Sequence, residues 1–293
     1  MNLENIIFRY LPDFLYNRET NYVKQQWFCY KWVQRHIDWS KKEVVYASVV
    51  NSHVQENQTI FMYWKQGWDN APKLVKKCLA SVEKNRNEHP LVLLDENNIN
   101  DYIVLPPFIE QYHIEGKIKE ALYSDMLRIC LLETYGGYWL DATCLLTSPI
   151  PSIIEKSDFF MFSNVLLPEW SSPIKGSNWF ICSKKGNLLL GAIKNFLFNY
   201  WKHKTYLVNY YIFHICLSAI VDSSKQYQNI WNAKPYICNM NPHILQFSFA
   251  EEFLQEKYDF ILSQSFVHKL TYKFDNSLLA SRPINIIQQL LNS

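Results

Sequence analysis

The chain has 293 residues, with 29 Lys+Arg against 27 Asp+Glu and a formal charge of +2. At 48% hydrophobic and 19% charged residues it can bury a large core, which excludes a wholly disordered chain; seven glycines exclude collagen-like and low-complexity classes. The near-zero charge balance argues against a dedicated nucleic-acid binder, which would carry a strongly basic face.

In chain order, the N-terminal stretch MNLENIIFRYLPDF carries acids and no long apolar run, so it does not read as a signal peptide. Tyr22–Ile37 reads as a helix that interleaves Trp27, Tyr30 and Trp32 with Lys24, Lys31 and Arg35. Such a helix packs on a domain or lies on a membrane surface. A β-rich strand is expected at Thr59–Trp64, followed by a loop with Gly67, Trp68 and Asp69. A helix, Lys73–Lys84, starts behind Pro72, and a fully apolar strand follows at Leu91–Leu94. Strand–helix–strand order implies parallel pairing with helices on both faces.

A strong helix is expected over Lys117–Tyr135, stopped by Gly136-Gly137, and then a strand, Tyr138–Asp141. Further strands read at Phe159–Phe162 and Trp179–Cys182, and helices at Asn187–His203, Tyr206–Val221 and Pro283–Leu291. The most apolar of these, Tyr206–Val221, is interrupted by Asn209, His214 and Ser218 and is shorter than the roughly 20 residues of a membrane span. The seven cysteines form no CxxC pair, which points to reduced, mostly buried thiols and a cytosolic setting. Residues 1–58 are read as a helical extension and 59–293 as one α/β domain.

The chemistry concentrates in Ala121–Thr147, ALYSDMLRICLLETYGGYWLDATCLLT. Asp125 and Arg128 stand three residues apart and share a helix face with Ser124 alongside. Asp141 closes an uncharged strand at its carboxyl end, where ligands of open α/β sheets bind. Were the strand to continue, Asp141 and Thr143 would point the same way. Each residue also has a plain reading: a surface ion pair for Asp125 and Arg128, a turn acid for Asp141, a core ring for Trp64, a satisfied histidine for His268. Tyr210, Tyr211 and His214 read mainly as core, with an acceptor contact as the alternative.

The run SDxxRxxxLxxxGGxxxD (Ser124, Asp125, Arg128, Leu132, Gly136, Gly137, Asp141) resembles retaining glycosyltransferases of the GT-A fold. It is most similar to the capsular polysaccharide synthesis glycosyltransferases, and more distantly to clostridial glucosylating toxins and yeast mannosyltransferases with a DXD motif. IFMYWKQGWDNAPKLVKKC (Ile60–Cys78) and SFVHKLTYK (Ser265–Lys273) resemble flanking blocks of the same group. The resemblance implies a GT-A domain, a Rossmann-like mixed sheet with helices on both faces. It implies transfer, with retention, of a hexose (galactose or glucose) from a UDP-sugar to a saccharide acceptor, a capsular or surface polysaccharide unit on polyprenyl diphosphate.

On matching positions, the resemblance implies that Trp64 lies by the base and that Ser124, Asp125 and Arg128 hold the donor. It makes Asp141 the surviving acid of the DXD motif and Lys269 a partner of the leaving diphosphate. Asp141 and His268 would be ligands of a Mn²⁺ or Mg²⁺ ion. The second acid of the motif is absent, since the sequence reads Asp141-Ala142-Thr143. The expected setting is the cytoplasm, peripheral to the inner face of the cell membrane, with no nucleic-acid partner. A sugar-nucleotide hydrolase or nucleotidyltransferase, and an inactive sugar-nucleotide or carbohydrate-binding module, are the alternatives.

Overall fold

The computed structural model describes residues 18–47, 50–164 and 172–293; the stretch MNLENIIFRYLPDF lies outside them. The centre is a five-stranded mixed sheet in the order β2-β1-β3-β6-β5. Its strands are β1 (Ile60–Tyr63), β2 (Leu91–Leu94), β3 (Gly137–Leu140), β5 (Phe159–Ser163) and β6 (Gly176–Ser183). β1 runs parallel to β2 and to β3, with Ile60 beside both Leu91 and Tyr138. Two helices supply the crossovers that parallel pairing requires, α2 (Lys73–Asn85) and α4 (Glu120–Tyr135). β6 pairs antiparallel with β3 and with β5, so the sheet is mixed.

Side chains alternate across this sheet and feed two cores. Phe61, Tyr63, Trp139, Met161 and Ile181 pack on one face against α4 and two further helices, α6 (Leu188–His203) and α7 (Ile212–Ser223). α1 (Arg18–Arg35) joins the same cluster through Cys29, Tyr30, Trp32 and Val33. Trp32 meets Phe196 and Tyr200 edge-on, and the Tyr30 hydroxyl donates to Asp222 at 2.7 Å. Tyr30 and Trp32 of α1 therefore face inward, while Tyr22 and Phe28 are exposed. On the other face, Ile60, Met62, Tyr138, Leu140, Phe160 and Cys182 pack against Val82 of α2 and Ile154 of α5 (Ser152–Glu155).

This second face is also covered by a two-stranded sheet, β4 (Cys144–Leu146) with β7 (Val267–Lys269), antiparallel with Cys144 opposite Lys269. Neither short strand carries an alternation readable in the sequence, and their partners lie more than a hundred residues apart. The remaining helices are α3 (Pro107–Ile114), α8 (Lys225–Ala233), α9 (Ile244–Phe247), α10 (Gln255–Ser263) and α11 (Ile286–Asn292). α11 opens on a capping box formed by Asn285 and Gln288.

One expected helix starts late. The apolar run from Tyr206 is helical only from Ile212, because residues before it spend their backbone groups elsewhere. The Tyr200 hydroxyl bridges the Tyr206 carbonyl and the Val208 amide, and the Asn209 side chain accepts from the Tyr211 amide at 2.9 Å. All seven cysteines are free thiols, and six are buried. Among the described residues, no helix is long and apolar enough to cross a membrane.

Candidate active site

Two glycines decide where β3 ends. Gly136 (φ +68°) and Gly137 (φ +96°) turn the chain out of α4 directly into β3. A Cβ on Gly137 would stand 2.3 Å from the Thr59 carbonyl oxygen, so only glycine lets β3 lie this close to β1. β3 then delivers Asp141 just past its carboxyl end, beside the α4 residues Ser124, Asp125 and Arg128.

α4 is buried nearly all round, including Asp125 and Arg128, which are 9% and 4% exposed. The acid–base pair therefore faces the site and not solvent. Its guanidinium joins two carboxylates, at 3.3 Å from Asp125 and 3.2 Å from Asp141. It donates further to the Asn178 carbonyl (2.7 Å), the Ser124 hydroxyl (2.9 Å) and the Ser124 carbonyl (3.2 Å), and lies 5.0 Å from the Trp139 ring. Arg128 is thus spent mainly on holding protein groups in place.

Asp141 is surrounded by donors. Trp139 Nε1 donates to its Oδ1 at 2.9 Å, and Lys269 Nζ to its Oδ2 at 2.9 Å. The same ammonium donates to Thr143 Oγ1 at 2.6 Å. Asp125 accepts from Asn178 Nδ2 at 2.7 Å. The environment drives the two acids apart. Burial, eased by Arg128 and aggravated by Asp141, pushes Asp125 up to about 6. Burial acts the same way on Asp141, but Lys269 and Arg128 outweigh it and hold that carboxyl below its ordinary value. Burial opposes the charge on Lys269 as well, yet Asp141 keeps it above the ordinary lysine value.

These groups open into one cavity of about 440 Å³. Among its described lining residues are five cationic side chains (Lys65, Lys119, Arg128, Lys269, Lys273) and three carboxylates (Glu120, Asp125, Asp141), a net +2. Trp64 lines it, meeting Tyr272 edge-to-face at 5.2 Å. Tyr210 and His214 also line it. Burial and Arg128 drive His214 down to about 3, so its imidazole is neutral at physiological pH. Tyr210 is exposed and begins an aromatic chain through Tyr211 to Tyr22 of α1.

The structure thus gathers Trp64, Ser124, Asp125, Arg128, Asp141 and Lys269 around one space. His268 does not join them. On β7 it alternates with Lys269 to the opposite side, where it is fully buried with Nε2 3.2 Å from the Leu262 carbonyl oxygen. Trp68 also stays out of the cavity, its indole donating to the Leu94 carbonyl at 3.1 Å. Residues that the sequence reading missed are Trp139, whose indole N–H orients Asp141, and Asn178, which orients Asp125. Asn178 left a faint signal as an amide directly before the apolar run Trp179–Cys182.

As arranged, the oxygens that a divalent metal ion would use are engaged by protein donors. Such an ion needs several oxygen lone pairs turned toward it, and both Asp141 oxygens already accept from cationic or indole donors. Asp125 is paired to Arg128 and Asn178, and Thr143 accepts from Lys269. Among the described residues, no group of three or more His, Cys, Asp or Glu side chains is placed to hold a metal.

The family model described as "Capsular polysaccharide synthesis protein" matches residues 13–289. The O-glycosyltransferase PaGT of Phomopsis amygdali is 24% identical over 169 residues, which take in 51% of this chain and 41% of that protein. This chain thus spans less than half the length of that relative. Among solved structures, PaToxG Glycosyltransferase aligns with a TM-score of 0.39 and 13% identity, over 74% of this chain and 84% of that one.

Proposed function

The chain belongs to the family of capsular polysaccharide synthesis proteins, and from that premise we propose that it is a glycosyltransferase with its donor site in the Asp141 cavity. The donor is a UDP-hexose, with galactose or glucose as the sugar. The acceptor is a saccharide of a capsular or surface polysaccharide, carried on polyprenyl diphosphate, which brings the protein to the inner membrane surface. The domain is of the GT-A type. One observation carries the reading: a net-positive cavity holds a lysine and an arginine on one strand-end carboxylate, with a second carboxylate buried beside them.

The chemistry asks for such a site. The bond from sugar C1 to the diphosphate oxygen breaks, and its electron pair stays on the diphosphate. The acceptor hydroxyl oxygen bonds to C1 on the face just vacated, and its proton passes to the diphosphate oxygen. Configuration is retained and no protein nucleophile is used. Negative charge grows on the diphosphate, where Lys269, with Lys65 and Lys273 at the cavity wall, meets it. A charge-assisted hydrogen bond of this kind is worth about 1.5–3 kcal/mol. Trp64 and Tyr272, set edge-to-face to each other at the cavity wall, take the uracil. Asp125, pinned by Asn178, accepts from a sugar hydroxyl, and Tyr210 and His214 flank the acceptor side.

A panel of UDP-sugars, assayed for UDP release with and without saccharide acceptors, tests this. One UDP-hexose is expected to give release that rises with an acceptor. Release from none of them, with and without acceptor, overturns the reading.

A further inference from the structure

Lys269 occupies an unusual place. Its ammonium bridges the side chains of Asp141 and Thr143, at 2.9 and 2.6 Å, across the intervening Ala142. These are the two ends of the tripeptide to which the resemblance assigns a bound cation. The bridge is built into the backbone. Lys269 stands opposite Cys144 in the β4–β7 ladder, the Leu270 amide donates to the Thr143 carbonyl at 3.0 Å, and the Cys144 amide donates to the Asp141 carbonyl at 2.9 Å. The lysine is thus fixed in register with both partners and does not reach in from a loop.

We propose that the Lys269 ammonium is the resident cation of this site, so that the nucleoside diphosphate is bound, and its leaving charge neutralised, without a divalent metal ion. Three observations converge on it. Both Asp141 oxygens are engaged by N–H donors, Oδ1 by Trp139 and Arg128 and Oδ2 by Lys269, so the lysine stands where a metal would meet that carboxylate edge. The second acid of the motif is a threonine whose hydroxyl accepts from the lysine. The cavity wall carries a net +2 before any ion is added, a charge that suits a diphosphate. An ammonium has three N–H donors; Asp141 and Thr143 take two, and among the described residues no protein acceptor takes the third. That donor is the one a diphosphate oxygen meets. Burial disfavours the ammonium, but Asp141 holds Lys269 protonated above its ordinary range, so its charge is constant across physiological pH.

The inference rests on the cavity being the donor site, and the experiment separates the two. UDP is titrated into the 293-residue protein by calorimetry, once in EDTA and once in Mn²⁺ or Mg²⁺. The dissociation constants are expected to agree within about twofold. Lys269→Met keeps the chain length and removes the charge; it is expected to weaken UDP binding at least 30-fold in EDTA. Mn²⁺ is expected to restore part of that loss, because Asp141 and Thr143 are then free to receive it. Wild-type binding at least tenfold weaker in EDTA than in Mn²⁺ overturns the resident-cation proposal and leaves the donor site standing. Binding of UDP in neither condition overturns both. Should Lys269→Met fail to fold, as melting would report, the wild-type titrations alone still decide.

Discussion

The two ends of the parallel strands are built from similar side chains and do different things with them. At the amino ends, a cavity of about 620 Å³ is lined by Asn57, His89, Tyr138 and Glu155, with His89 and Glu155 paired at 3.2 Å. At the carboxyl ends the cavity is smaller, and its charges form one network of Asp125, Arg128, Asp141 and Lys269. The amino-end pair touches its neighbours singly, so each partner can be removed alone. The carboxyl-end charges share partners, so removal of one strands the others. The proposed site is therefore assigned by strand polarity and not by cavity size, since ligands of open α/β sheets bind at the carboxyl ends of the strands.

This contrast is sharpest at Asp141. Asp141→Ala leaves Arg128 and Lys269 without their common anion, and transfer is expected to fall more than about 1,000-fold, about 4 kcal/mol of transition-state stabilisation. Because Asp141 has a side chain 23% accessible, water reaches the gap and the protein is expected to stay folded, as circular dichroism would show. Unchanged turnover would dissolve the distinction between the two ends.

Gly137→Ala tests the geometry behind it. The added methyl must displace the Thr59 carbonyl at 2.3 Å, and the residue keeps a positive φ. A loss of about 2–4 kcal/mol is expected in denaturant unfolding. A melt matching wild type would mean that β3 can withdraw from β1.

Asp125→Asn sharpens the comparison through pH. The carboxylate is the form that faces Arg128 and the Asn178 amide, so protonation near pH 6 removes it. The wild-type log kcat/KM is expected to fall with unit slope as pH drops below about 6. The asparagine variant, about 10–100-fold slower, should lack that limb. Stability moves the other way. A carboxyl raised to about 6 when folded favours folding at low pH and loses that contribution as pH rises toward 6. The stability of Asp125→Asn relative to wild type should therefore rise between about pH 4 and 6 and level off above. A difference independent of pH would contradict the raised value.

The smallest effect belongs to the amino end. Glu155→Gln breaks a pair in which both side chains are partly solvated, so it should cost under about 1 kcal/mol and leave UDP release within about twofold of wild type. A large loss of activity there would move the working site.

How much of this was legible depends on whether the signal is local. Asp125 and Arg128 declare a shared face through their spacing, and the glycine pair followed by a four-residue strand places Asp141. Those groups were readable without coordinates. His268 was not, because a side chain's direction on a three-residue strand depends on a ladder with a partner 123 positions away, Leu145. Lys269 faces Asp141 for the same reason that His268 faces away. Trp139 hid as one aromatic residue in an apolar strand; its indole N–H matters only because Asp141 stands two residues later, just past the end of that strand. The late start of α7 was hidden likewise, since a tyrosine in α6 holds the segment before it. For α1 the sequence left open packing on the domain or lying on a membrane surface; Tyr30 and Trp32 pack into the core, while Tyr22 and Phe28 stay exposed.

Lys269 and Asp141 are separated by 128 positions in the chain. A protein growing from its N-terminus therefore completes α4, β3 and the buried acids long before their lysine is made. Until β7 docks, Asp141 lacks one of its two cations, and that half-built centre is short of charge compensation. The closing of a small, distant sheet is then the event that completes the charge network around Asp141.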